Sequence, residues 1–190
     1  GPMKNSDTRE IEAKFLNVDV DALKSKLREL GATDLGEELF REQTFQFQTH
    51  DTAASTRIVR LRQTSKEIVL AYKHFQVESV DGTEEIELRV DSAELAALFV
   101  QRLGLTSART QELKRYTYAL GEVVVDFNTW PSAPTFIEIE GPSEKAVRIV
   151  AEQLELKWED ALFENTLKTL INRFAIPVDT YKTYTFERIE

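Results

Sequence analysis

The sequence predicts an α+β fold: an eight-stranded antiparallel β-barrel, a tunnel with a charged lumen and with helices packed outside. Three observations point there. Ionic side chains alternate with apolar ones along at least five strand-like segments. Four segments carry apolar residues at helical spacing behind a capping residue. A strand–helix module also recurs within the chain, too irregularly for a solenoid.

The candidate strands are 9–16, 40–48, 56–63, 67–75, 84–90, 110–120, 122–128 and 135–140. Successive side chains on a strand point to opposite faces. Glu10, Glu12 and Lys14 therefore share one face, against Ile11, Ala13 and Phe15. Arg60 and Arg62 oppose Val59 and Leu61, and Glu85, Glu87 and Arg89 oppose Ile86, Leu88 and Val90. Asp126 and Asn128 oppose Val125 and Phe127, and Glu138 and Glu140 oppose Ile137 and Ile139. Any one such strand by itself fits better a sheet with its charges in water. Recurrence of acids and bases over five strands, with few Ser, Thr or Gln among them, favours a common charged interior.

The helices are expected over 20–30 with Asp19 as N-cap, over 93–103 with Ser92 as cap, after Pro142-Ser143, and over 159–174 before Pro177. Gly31 and Gly104 end the first two, and Gly82 and Gly121 mark turns. Glu10-Ile11-Glu12-Ala13-Lys14 and Glu85-Ile86-Glu87-Leu88-Arg89 each lead into one of these helices, as does Ile137-Glu138-Ile139-Glu140.

With 190 residues, 42% of them hydrophobic and 30% charged, the chain builds a real core. The expected organisation is one domain over 3–176 and a C-terminal tail over 177–190, read as a frayed end in preference to an added strand or a flap. Gly1-Pro2 before Met3 reads as a cleavage scar, so the natural chain is expected to start at Met3. There is no Cys, which excludes disulfides and thiolate metal sites. No apolar run reaches the ~20 residues of a membrane span, and no signal peptide is visible. These features suit a cytoplasmic protein. A net charge of -9 disfavours duplex nucleic acid and anionic membranes as partners, while leaving room for a local basic site.

Carboxylates beside guanidinium and ammonium groups suit a ligand that brings both a divalent cation and phosphate oxygens. The ordered set Glu10-x-Glu12-x-Lys14, Arg60-x-Arg62, Lys73, Glu85-x-Glu87, Lys114-Arg115, Asp126 and Glu138-x-Glu140 resembles the CYTH family, the triphosphate tunnel metalloenzymes. The resemblance covers roughly residues 8 to 170. It implies an eight-stranded tunnel acting on inorganic triphosphate, polyphosphate, ATP, another nucleoside triphosphate or thiamine triphosphate, with Mg²⁺ or Mn²⁺ as cofactor. By position it places Glu10, Glu12, Asp126, Glu138 and Glu140 at the metal. Lys14, Arg60, Arg62, Lys73 and Arg115 fall on the phosphates, with Glu85 and Glu87 orienting the bases. Glu10, Glu12, Lys14, Lys73 and Arg115 form the catalytic set. Leu113 stands where many members carry a Lys, and Lys114 belongs on the opposite face unless a bulge re-aims it. Hydrolysis of a triphosphate is the expected activity. A class IV adenylyl cyclase and a non-catalytic polyphosphate-binding module are the alternatives, and a homodimer is an allowed assembly. His50 and His74 are expected to play no catalytic or metal-binding part.

Overall fold

A computed structural model describes residues 10–49, 55–76 and 83–190. The expected turn at Gly82 and the turn around His50 lie outside the described residues. The chain divides into two compact units. The strands are β1 (Ile11–Phe15), β2 (Thr33–Gln46), β3 (Ser55–Gln63), β4 (Ile68–Gln76), β5 (Thr83–Val90), β6 (Thr106–Leu120), β7 (Val123–Thr129), β8 (Phe136–Gly141) and β9 (Thr183–Tyr184). Three helices of ten residues each stand among them: α1 (Val20–Glu29), α2 (Ala93–Arg102) and α3 (Glu144–Gln153). The fold is α+β, and its strand path is β1-β8-β7-β6-β2-β3-β4-β5, with β9 added beside β6.

The helix starts follow the capping residues. Asp19, Ser92 and Ser143 each accept a backbone N–H three residues on, from Ala22, Leu95 and Ala146, at 3.1 Å. Gly31 and Gly104 follow the first two helices with φ of 80° and 103°, a conformation glycine adopts without a Cβ penalty.

The unit built from residues 9–39 and 113–180 packs α1 and α3 onto one face of its strands. Leu23, Leu27, Val147, Val150 and Ala151 meet Ala13, Phe15, Val125, Phe127, Ile137 and Ile139 there. In the unit built from residues 40–112 and 181–190, Ala96 and Val100 of α2 cover Phe45, Val59 and Leu61. In both units the residues between these apolar ones face the other way, so the helices pack on one face of the strands and the ionic residues lie on the other, although Ile86 and Leu88 of β5 stay about half exposed. Burial of the apolar side chains, about 1.5–3 kcal/mol for each large one, therefore fixes which way the charged residues point.

Three sequence expectations are corrected. The strand expected from Phe40 begins at Thr33. Within it the Asp34 carboxylate accepts the Gly36 N–H at 2.8 Å, with Gly36 at φ 79°. The strand passes through this local kink. The helix expected over 159–174 does not form as one element. Trp158–Asp160 is a 3₁₀ turn, and Leu162 exchanges both backbone hydrogen bonds with Lys14, at 2.8 and 2.9 Å, which draws the chain out beside β1. Helical structure resumes only at Thr166–Lys168, capped by Asn165, and continues as a π-helical turn over Thr169–Arg173. The segment after Pro177 is not frayed: Val178 and Tyr184 are buried, and Tyr184 lies beside Gln111 of β6. Among the described residues no helix is long and apolar enough to cross a membrane.

Candidate functional site

The first ionic cluster sits on β2, β3, β4 and β5. Register sets it: Glu42 lies opposite Arg62, Thr44 opposite Arg60, and Lys73 opposite Glu85. Glu42 is 3% exposed. One of its oxygens accepts from Arg62 and lies 3.6 Å from the Arg60 Nε, and the other accepts the Gln111 amide at 2.7 Å. Glu85 stands 3.8 Å from both Arg60 and Lys73. Glu87 shares this ionic face, opposite Ala71. Arg89, further along β5, reaches the exposed Glu67 at 2.7 Å.

Two pKa values are displaced here. Burial works to raise that of Glu42, but Arg62 and Arg60, with hydrogen bonds from Gln111 and Arg62, hold it at about 2. Burial lowers the Lys73 ammonium to about 8, helped by the Arg60 charge and opposed by Glu85. Glu42 carries a stability consequence. Its folded pKa lies below the ordinary 4.5, so its contribution is complete above that pH and is lost as pH falls toward 2. The shift is equivalent to about 3 kcal/mol. Urea unfolding should show Glu42→Gln less stable than the parent at pH 7, with the gap closing between pH 4.5 and 2.5. A gap independent of pH would refute the assignment.

The second cluster sits on β1, β8, β7 and β6. Thr117, Asp126, Glu138 and Lys14 form one row of cross-strand neighbours, and Glu140 lies opposite Glu12 in the next row. Lys14 is 5% exposed; its Nζ donates to the Glu164 carbonyl at 2.7 Å and lies 3.8 Å from Glu138. Burial lowers its pKa, against the opposing pull of Glu12 and Glu164. Thr166 donates to Glu138 at 3.4 Å, and Thr117 donates to Asp126 at 2.7 Å. Arg115 donates to Asn128 at 2.8 Å and stands 3.8 Å from Asp126.

Sequence-selected residues thus gather in two places. Arg60, Arg62, Lys73 and Glu85 meet in the first cluster, and Lys14, Arg115, Asp126 and Glu138 in the second. Glu12 and Glu140 oppose each other, and Glu10 precedes β1 and is exposed. The register from Lys114 to Leu120 is unbroken, so no bulge re-aims Lys114, which is exposed, while Leu113 is buried on the face of Arg115. His74 contacts Tyr72 on the helix-covered side of β4. The sequence reading missed Glu42, Gln111, Thr117, Glu164 and Thr166. For Glu42 only a partial signal existed: Glu42 and Thr44 fall on the parity opposite Phe45, but Gln43 breaks the ionic–apolar alternation seen in the other strands.

The carboxylate set can be tested against a divalent cation. Directly opposed like charges destabilise a sheet, and Glu12 and Glu140 are so opposed, with Glu138 next on the same face. All their donor atoms are carboxylate oxygens, the ligand type of Mg²⁺ and Mn²⁺. Among the described residues no three such groups converge at ligand spacing, because Glu138 is turned to Lys14 and Thr166, and Asp126 to Thr117 and Arg115. The donor chemistry fits a hard cation.

The CYTH domain model matches residues 8–169. The chain belongs to the CYTH domain family. Solved structures with this fold include the PH1012 protein of Pyrococcus horikoshii OT3, 25% identical, with a TM-score of 0.69 over 84% of this chain and 98% of that one. A conserved protein of Pyrococcus furiosus is 22% identical, with a TM-score of 0.67 over 84% of this CYTH chain and 99% of its own. An adenylyl cyclase candidate from Hippeastrum, described as having a dominant triphosphatase activity, is 16% identical, with a TM-score of 0.55 over 88% and 97%. No curated protein matches the chain by sequence.

Proposed function

We propose that this CYTH protein is a divalent-metal-dependent triphosphatase that hydrolyses inorganic triphosphate, polyphosphate or an organic triphosphate. One observation carries the reading. Arg60, Arg62 and Lys73 stand together on the ionic face of β3 and β4, held by Glu42 and Glu85. These basic side chains form a preorganised set of donors to phosphate in a protein of net charge -9. Such a site suits a compact polyanion. Glu12, Glu138 and Glu140 are the carboxylates that would hold a divalent cation, whose chemistry would be charge neutralisation of a triphosphate.

Arg60 and Arg62 grip phosphate oxygens. Lys73 has the pKa of a proton acceptor near neutrality. Water oxygen bonds to the terminal phosphorus and the bond to the bridging oxygen breaks. The proton released by the water passes to Lys73, which returns it to solvent. Only the neutral amine accepts that proton, so the rate rises as pH passes through about 8.

The test is product analysis with inorganic triphosphate, thiamine triphosphate and ATP, with Mg²⁺ or Mn²⁺, over pH 6 to 9.5. Phosphate release rising through about pH 8, with the limb lost in Lys73→Arg, supports the reading. Cyclic AMP with pyrophosphate from ATP keeps the site but replaces hydrolysis by cyclisation. Binding of triphosphate without turnover under any condition leaves a polyphosphate-binding module.

A further inference from the structure

The last nine residues, outside the family match, form a hairpin of their own. Lys182 and Thr183 donate their N–H groups to the Glu190 carbonyl at 2.8 and 3.0 Å, and Glu190 donates back to Thr183 at 3.0 Å. The turn is closed by Thr185 N–H to the Arg188 carbonyl at 2.9 Å. This hairpin is fastened to β6. Thr110 donates to the Lys182 carbonyl at 2.9 Å, and Tyr184 lies in register with Gln111. The Phe186 N–H reaches Glu112 at 3.1 Å, whose other oxygen takes Arg41 at 3.0 Å.

Behind that junction runs a chain of polar contacts. Tyr184 is fully buried, with the Arg109 charge acting on its phenol. Arg109 donates to Gln111 Oε1 at 2.8 Å, and Gln111 Nε2 donates to Glu42 at 2.7 Å. Glu42 in turn holds Arg62 and Arg60. A guanidinium can only donate and a carboxylate can only accept. The Gln111 amide, accepting at one end and donating at the other, is therefore locked in one orientation between them. Its backbone is the place where the hairpin pairs with β6.

We propose that the C-terminal hairpin is a positioning element for the Arg60–Arg62 clamp, acting through Gln111 and Glu42. The consequence for ligand binding rests on the triphosphate reading above; the positioning itself does not. By sealing β6 at Gln111 and covering Arg109, the hairpin keeps water out of the Arg109–Gln111–Glu42 relay. Without that cover the amide rotates, Glu42 loses a donor, and the two guanidinium groups lose their common anchor.

The test uses the full chain with Tyr184→Leu, Gln111→Leu, the pair together, and Phe186→Pro. The last removes the N–H given to Glu112 together with the Phe186 ring, at a turn position that favours proline, and serves if Tyr184→Leu fails to fold. In ligand-free protein, the Arg62 Nε–H resonance should be sharp and protected in the parent and broadened in each variant. Inorganic triphosphate, titrated by calorimetry, should bind about 10-fold more weakly in each single variant. The double variant should be no worse than about 10-fold, because both changes cut one relay. A tail variant that melts earlier but keeps the parental Arg62 resonance and affinity would overturn the proposal, as would additive losses in the double variant. If the parent binds no triphosphate, the clamp reading fails, and the Arg62 resonance still decides the positioning role.

Discussion

Arg60→Ala should bind inorganic triphosphate roughly 10- to 100-fold more weakly than the parent, with kcat changed by only a few-fold. The magnitude follows from one charge-assisted hydrogen bond, about 1.5–3 kcal/mol. The fold survives the change for a specific reason. Glu42 keeps Arg62 and Gln111 as partners, and Glu85 keeps Lys73. Removing Arg60 therefore subtracts a phosphate ligand without stranding a buried carboxylate. Arg62→Ala is the harsher change, since it takes the closest cation from Glu42. Arg60→Lys should recover part of the affinity, because it restores charge but not the planar fork. Calorimetry with inorganic triphosphate and steady-state phosphate release give the Kd and the KM-against-kcat split. An Arg60→Ala protein with unchanged Kd and KM sinks the clamp.

Glu138→Gln should lower turnover roughly 100-fold and raise the Mg²⁺ or Mn²⁺ needed for half-maximal rate by about 10-fold. The substitution keeps shape and removes one charge from the row that includes Lys14 and Asp126. Two effects act together. The carboxylate set loses the member that lies between Glu140 and the buried Lys14 ammonium, and Lys14 loses the carboxylate 3.8 Å away. The Glu164 carbonyl still accepts from Lys14 at 2.7 Å, so the lysine keeps a partner and the fold is expected to hold. Mn²⁺ binding to the substrate-free protein, followed by electron paramagnetic resonance, separates a weakened metal site from slower chemistry. Full activity of Glu138→Gln in the presence of chelator excludes the metal role for this residue.

Much of this was legible from the sequence, because alternation and capping are local properties. Face parity placed Glu12, Lys14, Arg60, Arg62, Asp126, Glu138 and Glu140 on ionic faces. Ala13, Val59, Leu61, Val125, Phe127, Ile137 and Ile139, which alternate with several of them, are buried. Asp19, Ser92 and Ser143 marked helix starts, since a cap depends only on the next three residues. What depends on residues far apart in the chain was not legible. Glu42 could be seen to alternate with its neighbours, but that it anchors Arg62 follows only from the pairing of β2 with β3. The break in the last helix came from Leu162 bonding to Lys14, a partner 148 positions away. The C-terminal residues looked like a polar tail because their sequence gives them no core to join. Only the folded β6 offers Thr110, Gln111 and Glu112 as partners. The sequence by itself determined which side chains face which way along each strand, through a period of two residues. Tertiary structure alone decided which of them touch, because cross-strand register and the docking of the chain's end are set by packing at a distance.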